Sequence, residues 1–197
     1  MAENDPMESP IFRQRAVEAK ILRHVYETLT ASHGEAVAKK AIADAVRAAS
    51  IEQAGEMADM ARAEGKEPSM ATFQEIYGLW TKGGALEIEV LEKSEDRLDF
   101  DVTRCRYAEM YREMGLGDIG HLLSCQRDGT FCEGYDPRIK MKRDQTIMQG
   151  ADRCTFRYTV EEGTFCEGYD PRIKMKRDQT IMQGADRCTF RYTVEEG

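Results

Sequence analysis

Residues 83–105 read GGALEIEVLEKSEDRLDFDVTRC, and this stretch decides the fold class. Apolar side chains alternate with acidic ones over residues 86–90 and again over residues 98–102, with a polar turn at 94–96 between them. Such alternation is typical of a strand that buries one face. The stretch therefore predicts an antiparallel hairpin with one apolar face and one acidic face.

A second pair of alternating segments lies further along the chain. Residues 139–142 read IKMK and residues 154–160 read CTFRYTV, on either side of a turn region around Gly150. These segments predict a second hairpin. Together the two hairpins predict a four-stranded antiparallel sheet.

Upstream of the first hairpin, apolar residues recur near every fourth position, which is typical of amphipathic helices. The first predicted helix covers residues 11–31, with Ile21, Val25 and Leu29 on its apolar face. Three further helices are predicted. The first lies on the stripe Val37, Ala41, Ala45 and Ala49, with Ile42 and Val46 widening its apolar face. The second runs from a capping box at Ser50 to about Ala63, and Ser69 caps the third, which Gly83-Gly84 ends.

Two shorter helices are predicted between the hairpins, at residues 105–114 and 118–126. The order of elements predicts an α+β fold, in which N-terminal helices pack with a four-stranded antiparallel sheet of two hairpins and inserted short helices. We expect residues 1–10 to be a disordered lead-in and residues 11–162 to form a single α+β domain.

The end of the chain is a duplication. Residues 163–197 repeat residues 129–162 letter for letter and add one glycine. An identical unit that occurs twice indicates a recent tandem duplication or an assembly error rather than a helical solenoid. The segment 163–197 is therefore expected to be redundant. We predict that the first copy forms the second hairpin, because Asp128 and a short link to Cys125 precede that copy alone.

The charge of the chain excludes several kinds of partner. The formal net charge is −8, and the repeated unit is neutral with six basic and six acidic residues, so the negative charge lies in residues 1–128. An acidic chain without a basic patch predicts no nucleic-acid partner. No apolar run approaches the roughly 18 residues of a membrane span, and the acidic start MAENDPMESP is unlike a signal peptide. We expect a cytoplasmic protein with no membrane partner, and the sequence leaves open whether it is a homo-oligomer.

One pair of residues has the spacing of a reactive site. His121 and Cys125 are four apart on a predicted helix and so share a face, and Asp128 follows within a turn. A thiol beside an imidazole can act as a nucleophile or ligate a metal. The alternative is a buried cysteine beside a surface histidine. The nearby GLGDIG at residues 115–120 matches a dinucleotide fingerprint, but a charged helical segment precedes it, so we interpret it as a helix connection.

Other polar and aromatic residues have two interpretations each. Cys105 and Cys154 could belong to a site or could be small core residues, and no C-x-x-C pair supports a zinc site. Arg143 could bind a carboxylate in a forked geometry or pair with the acidic hairpin face, as Arg153 and Arg157 could. The aromatic stripe that includes Phe73 and Trp80 is interpreted as core.

Many spaced positions together carry a family resemblance over roughly residues 20–160. They are the stretch 83–105 quoted above and Arg104-Cys105, Tyr107, Gly115, Cys125, Asp128, Tyr135-Asp136-Pro137, Arg143, Thr146, Gly150, Cys154 and Phe156. On these residues the chain resembles the L-2-amino-thiazoline-4-carboxylic acid hydrolase family. The resemblance implies a hydrolase that opens a cyclic amidine by adding water to the ring carbon between nitrogen and sulfur. The implied product is a carbamoylated cysteine, on a bacterial route to L-cysteine.

The resemblance also implies roles for individual residues. Cys125 would be the nucleophile or a metal ligand, Asp128 the base, and Arg143 the group that binds the substrate carboxylate. Cys105 and Cys154 would complete the substrate-binding set, and His121 joins the catalytic set on its helical spacing. The cofactor stays unknown, because a divalent metal and covalent cysteine catalysis both fit these residues. Two rivals to the small-molecule hydrolase are a non-catalytic small-ligand sensor and a thiol-ligated metal or iron–sulfur protein.

Overall fold

The computed structural model describes residues 5–161, 173–176 and 189–194. Its α-helices are α1 (Pro10–His33), α2 (Glu35–Ala63), α3 (Met70–Ile76), α4 (Gly78–Thr81), α5 (Arg106–Glu113) and α6 (Gln126–Tyr135). Its strands are β1 (Leu86–Lys93), β2 (Arg97–Cys105), β3 (Ile139–Lys142), β4 (Cys154–Val160), β5 (Ile173–Lys176) and β6 (Arg191–Val194). A π-helical turn at His121–Cys125 leads into α6. In the described ranges, no helix combines the length and the apolar character that crossing a bilayer requires.

Both predicted hairpins are present, and they form one antiparallel sheet in the order β1-β2-β4-β3. In the centre of the sheet Phe100 on β2 lies opposite Phe156 on β4, and Leu98 lies opposite Tyr158. All four side chains are buried in the core beneath the helices. The structure thus confirms the predicted α+β fold, because alternation with one buried face fixes the strand register.

The opposite face of the sheet carries the acidic residues, and arginines cover them. Asp101 on β2 is only 6 % exposed, since Arg153 contacts it at 3.1 Å and Arg157 at 2.9 Å from β4. Burial alone would raise the pKa of Asp101, but the hydrogen bonds from these two arginines outweigh burial and hold the pKa below its usual value. Arg153 and Arg157 therefore pair with the acidic hairpin face, which was the second of their two interpretations.

Replacing Asp101 with Asn is expected to lower the free energy of unfolding by about 1–3 kcal/mol at neutral pH, because two arginines lose a charged partner. A carboxylate with a lowered folded pKa stabilises the fold above its unfolded pKa, and that stability is lost as the pH falls through the folded pKa. The difference between wild type and D101N should therefore shrink below pH ~4. Urea unfolding across this range measures it. The control is Asp44→Asn on α2, whose side chain is 64 % exposed; equal losses in both variants would refute the role of Asp101.

Helix α2 is longer than predicted. Its buried face is a single stripe along the whole helix, formed by Ala38, Ile42, Val46, Ser50, Ala54 and Ala58. The predicted helix start at Ser50 is therefore wrong. The Ser50 hydroxyl does not cap a helix but donates to the backbone oxygen of Arg127 at 3.1 Å, which ties α2 to α6. Of the residues predicted for its apolar face, Ile42 and Val46 are buried, whereas Val37 is 49 % exposed.

The apolar face predicted for α1 is not the one the fold buries. Ile21 is 62 % exposed and Val25 is 40 % exposed. The buried residues of α1 lie in its first half and are Ile11, Phe12, Arg15 and Ala19. The reason is tertiary, because α4 and α5 pack against α1 and cover its first half. Periodicity alone does not reveal which part of a helix is covered.

Residues 5–10, assigned to a disordered lead-in, are ordered. Pro6–Glu8 form a 3-10 turn, and Ser9 caps α1 by accepting the Phe12 amide at 3.1 Å. The Ser9 hydroxyl donates to the backbone oxygen of Leu79 at 2.7 Å, and Ser9 is fully buried. This hydrogen bond attaches the segment to α4. The polar composition of the segment was therefore a poor guide to its structure.

Two further helices differ in detail from the prediction. Ser69 caps α3 in a capping box with Thr72, as predicted, but the helix breaks at Tyr77 and resumes as α4. The helix predicted at 118–126 continues through the π-helical turn into α6. Helix α6 approaches α2 closely at Gly134, where a Cβ atom would lie 2.3 Å from the backbone oxygen of Ile51. This contact fixes the position of α6, which carries the site described below.

The chain divides into two compact units, Met1–Val160 and Glu161–Gly197. The first copy of the repeat supplies β3 and β4 to the four-stranded sheet, whereas β5 and β6 pair with each other. The two hairpins have the same register, since Ile173 opposite Val194 reproduces Ile139 opposite Val160. That the segment 163–197 is redundant stays a prediction.

Candidate active site

A cavity of about 70 Å³ lies where the N-terminal helices, the sheet and α6 meet. Most of its wall is aromatic and consists of Phe73, Tyr77, Trp80, Phe100, Phe131, Phe156 and Tyr158. Its polar lining is Arg15, Ser50, Thr81, Arg127 and Asp128. A concave apolar site with a few converging polar groups is the usual form of a small-molecule binding site.

The aromatic wall is rigid because its rings pack on one another. Phe100 stacks on Phe156 with centroids 4.8 Å apart, and Trp80 meets Phe131 edge-on at 5.2 Å. Phe73 lies 5.1 Å from Tyr158 and belongs to the core. The interpretation of the Phe73 and Trp80 stripe as core was therefore incomplete, because these side chains also form the wall of the cavity. The break between α3 and α4 allows this arrangement.

Asp128 on α6 places a carboxyl group on the wall of this cavity. Arg143, which follows β3, donates from Nη1 to Asp128 Oδ2. Its Nη2 donates to the backbone oxygen of Cys125 at 2.8 Å, and its guanidinium lies 5.0 Å from the centre of the Phe156 ring. The arginine is thus held on three sides, and its side chain is only 11 % exposed. It fixes the Asp128 carboxylate at the cavity wall.

Burial raises the pKa of Asp128 above its ordinary value, although the charge and hydrogen bond of Arg143 act in the opposite direction. A carboxyl group with a raised pKa can accept a proton and return it more readily than an exposed one. Asp128 therefore has the environment of a general base or acid. Arg143 does not itself line the cavity.

The fold gathers the three predicted thiols around Asp128. The charge of Asp128 contributes to the raised pKa of Cys105, Cys125 and Cys154, and burial is the main cause for each. The pKa of Cys105 rises to about 12. The Cys154 sulfur accepts the Ile147 amide at 3.2 Å. These thiols are protonated at neutral pH, and none of them lines the cavity.

His121 is the predicted site residue that the structure does not bring to this group. Burial and the charge of Lys39 on α2 lower its pKa, and neither Cys125 nor Asp128 contributes to that shift. Likewise, the shift at Cys125 has no contribution from His121. The π-helical turn carries both residues, but the shared face does not bring them into electrostatic contact.

Two buried arginines on the cavity wall were not among the site residues predicted from the sequence. Arg15 on α1 is 3 % exposed and Arg127 on α6 is 7 % exposed. Glu18 accepts hydrogen bonds from both, at 2.8 Å from Arg15 and 2.9 Å from Arg127. A signal existed in the sequence, because Arg15 shares a helical face with Ile11, and a charge within an apolar stripe needs a partner.

Within the described residues, no three His, Cys, Asp or Glu side chains are grouped so that they could hold a metal ion. The described part of the chain therefore does not form a divalent-metal site of three or more such ligands.

Comparison with known families decides the relationship of the chain. A model of the L-2-amino-thiazoline-4-carboxylic acid hydrolase family matches residues 14–158 and 162–192. The chain belongs to this family. The match confirms the resemblance found on residues 20–160, and its second segment lies in the duplicated part. Membership in this hydrolase family supports a hydrolase.

Comparisons with individual proteins add little. No curated protein matches the chain. Among solved structures, the chain matches the phenol-responsive sensory domain of the transcription activator PoxR with phenol, at 12 % sequence identity and a TM-score of 0.46. The alignment covers 80 % of this chain and 79 % of that one.

The raised pKa of Cys125 makes its predicted role testable. A protonated, partly buried thiol such as Cys125 reacts slowly with alkylating reagents. We expect iodoacetamide at neutral pH to modify Cys125 far more slowly in the folded protein than in urea, with peptide mass spectrometry as the readout. We also expect the hydrolase activity of Cys125→Ala to stay within about tenfold of wild type. The loss of a nucleophile would lower that activity far more. Rapid alkylation of the folded protein and a dead C125A variant would together restore Cys125 as the nucleophile.

Proposed function

We propose that this member of the family hydrolyses a small cyclic amidine of the 2-amino-thiazoline-4-carboxylate type. The observation that carries the proposal is Asp128, a carboxyl group with a raised pKa, held by Arg143 at the wall of an aromatic cavity. Family membership supplies the class of reaction, and this carboxyl group supplies a means to perform it.

The chemistry requires one proton acceptor that can also donate. The ring reacts as the protonated amidinium. Water adds to the ring carbon between nitrogen and sulfur: a C–O bond forms, the C=N double bond becomes single, and the water gives a proton to the Asp128 carboxylate. The C–S bond then breaks, and the carbon becomes the carbonyl of a carbamoyl group. Of the two protons of the water, Asp128 passes one to the departing sulfur, and the other leaves to solvent. A carboxyl group whose pKa lies nearer to neutrality suits both transfers.

The aromatic wall suits the substrate. An amidinium is planar and positively charged, so it can stack on ring faces and gain a cation–π contribution. Trp80 and Phe131 meet edge-on at 5.2 Å on this wall, next to Asp128. The apolar rings around the site lower the local dielectric constant, which strengthens the attraction between the amidinium and the carboxylate.

A panel of five-membered cyclic amidines tests the proposal. Purified protein is incubated with thiazolines, oxazolines and imidazolines that carry the 2-amino group, and products are identified by mass spectrometry and by thiol release. We expect turnover of the thiazoline, with gain of one water and one free thiol. The second candidate function is non-catalytic binding of a small ligand. The aromatic wall favours binding, and protonated thiols favour the absence of catalysis because the thiolate is the nucleophile. Saturable binding without turnover of any ring would favour that function and defeat the hydrolase.

A further inference from the structure

The polar end of the cavity contains more positive than negative charge. Arg15 and Arg127 both line it, and the single carboxylate of Glu18 bridges them. The charge of Asp128 also acts on Arg15 and Arg127, but its carboxylate forms its ion pair with Arg143. Three guanidinium groups therefore face two carboxylates in a buried site. An uncompensated buried charge costs free energy that a bound anion would recover.

The two arginines differ in the donors that they leave free. Arg15 is held through both terminal nitrogens, with Nη1 on Glu18 and Nη2 donating to Gln53 Oε1 at 2.7 Å. Arg127 donates from Nε to the backbone oxygen of Leu123 at 2.9 Å and from Nη2 to Glu18. Its Nη1 has no acceptor among the residues that the structure describes. Arg127 is therefore the arginine with a terminal Nη nitrogen available to a ligand.

Burial, with the charge of Arg15 as the next cause, lowers the pKa of Arg127 to about 10, so it stays charged at neutral pH. Arg127 and Asp128 are consecutive on α6, and both line the cavity. They offer a positive and a negative group to one small ligand. A ring with a carboxylate and an amidinium matches this pair in charge.

We propose that Arg127 binds the carboxylate of the substrate and selects rings that carry one. This inference deepens the proposed function and rests on it for the chemistry of the ring. The family resemblance implies this task for Arg143, but Arg143 holds Asp128 and does not line the cavity. Arg143 is thus a positioning residue, and Arg127 is the binding residue.

The test uses two ligands that differ by one group, 2-amino-thiazoline-4-carboxylate and 2-amino-thiazoline. Trp80 is the only tryptophan in the chain and lines the cavity, so its fluorescence reports binding without turnover. We expect wild type to bind the carboxylated ring more tightly. Arg127→Met should weaken binding of that ring roughly ten- to a hundredfold, the effect of losing a hydrogen bond to a charged group, and leave the uncarboxylated ring unchanged.

A second variant acts in the opposite direction. Glu18→Gln removes the shared carboxylate, leaves a second positive charge uncompensated, and should tighten binding of the carboxylated ring alone. Glu18 has a side chain that is 28 % exposed, so this variant remains informative if R127M does not fold. Arg23→Met on α1, with a side chain 42 % exposed, is the control and should change neither affinity.

The outcomes separate this inference from the proposed function. If R127M weakens both ligands equally or neither, or if E18Q weakens the carboxylated ring, the assignment of Arg127 is overturned. If wild type discriminates between the two rings but hydrolyses neither, the carboxylate site stands and the hydrolase fails. If wild type hydrolyses and binds both rings equally, the hydrolase stands and the carboxylate site fails.

Discussion

Asp128→Asn is expected to lower kcat/KM for thiazoline hydrolysis by about 10²- to 10⁴-fold, the usual contribution of a general base. An amide has nearly the shape of the carboxylate but cannot accept the proton of the attacking water. Binding should weaken only in part, because the attraction of Asp128 for the amidinium is lost but the aromatic wall and Arg127 are untouched. The loss should therefore appear mainly in kcat. Trp80 fluorescence measures the binding, and thiol release measures the turnover.

Asp144→Asn is the matched control for this variant. Asp144 follows Arg143 directly, and its side chain is 71 % exposed, so the same substitution should leave the rate unchanged. In wild type the rate should fall as acid protonates Asp128, with a midpoint above the ordinary aspartate pKa because burial raises that pKa. Arg143→Met should move this acid limb to still higher pH, since it removes the charge that opposes the raised pKa. A D128N enzyme with wild-type kcat would remove Asp128 from the mechanism.

Tyr158→Ala is expected to lower the free energy of unfolding by about 3–5 kcal/mol, the range for removing a large aromatic ring from a core. Tyr158 is 4 % exposed and packs on Phe73 at 5.1 Å, Phe156 at 6.0 Å and Phe100 at 6.1 Å. Removing its ring leaves a cavity in the centre of the sheet. Urea unfolding followed by circular dichroism measures the loss.

The duplication supplies an unusually close control for this experiment. Tyr192 occupies the same position in the second copy, with the same neighbours in sequence, but it is 59 % exposed. Tyr192→Ala should change stability by no more than about 0.5 kcal/mol, as for other exposed sites. Equal losses of stability in the two variants, or a larger loss in Y192A, would mean that the second copy of the repeat supplies the strands of the four-stranded sheet.

The sheet was predictable because its signal is local. Alternation over residues 86–90 and 98–102 assigns one face to the core without any knowledge of the rest of the chain. The helices were less predictable, since a periodic stripe does not reveal which of its residues another element covers. Val25 lies on such a stripe and is exposed. Ser50 lies in the middle of a helix and not at a cap, and its hydroxyl donates to a backbone oxygen on α6.

The residues of the site were likewise predictable only in part. Cys105, Cys125, Asp128, Arg143 and Cys154 came from the family pattern, and the fold gathers them. His121 came from helical spacing alone, which states that two residues share a face but not what lies opposite that face. The pairing of Arg15 with Arg127 through Glu18 joins residues far apart in the chain, so no local pattern could reveal it.

The most direct test of the account is hydrolysis of 2-amino-thiazoline-4-carboxylate by the wild-type chain in water labelled with heavy oxygen. The account predicts a carbamoylated cysteine with a free thiol and one labelled oxygen in its carbamoyl group, because water attacks the ring carbon directly. Mass spectrometry of the product and its fragments locates the label. Recovery of the intact, unlabelled ring under conditions where Trp80 fluorescence shows that it is bound would contradict the account.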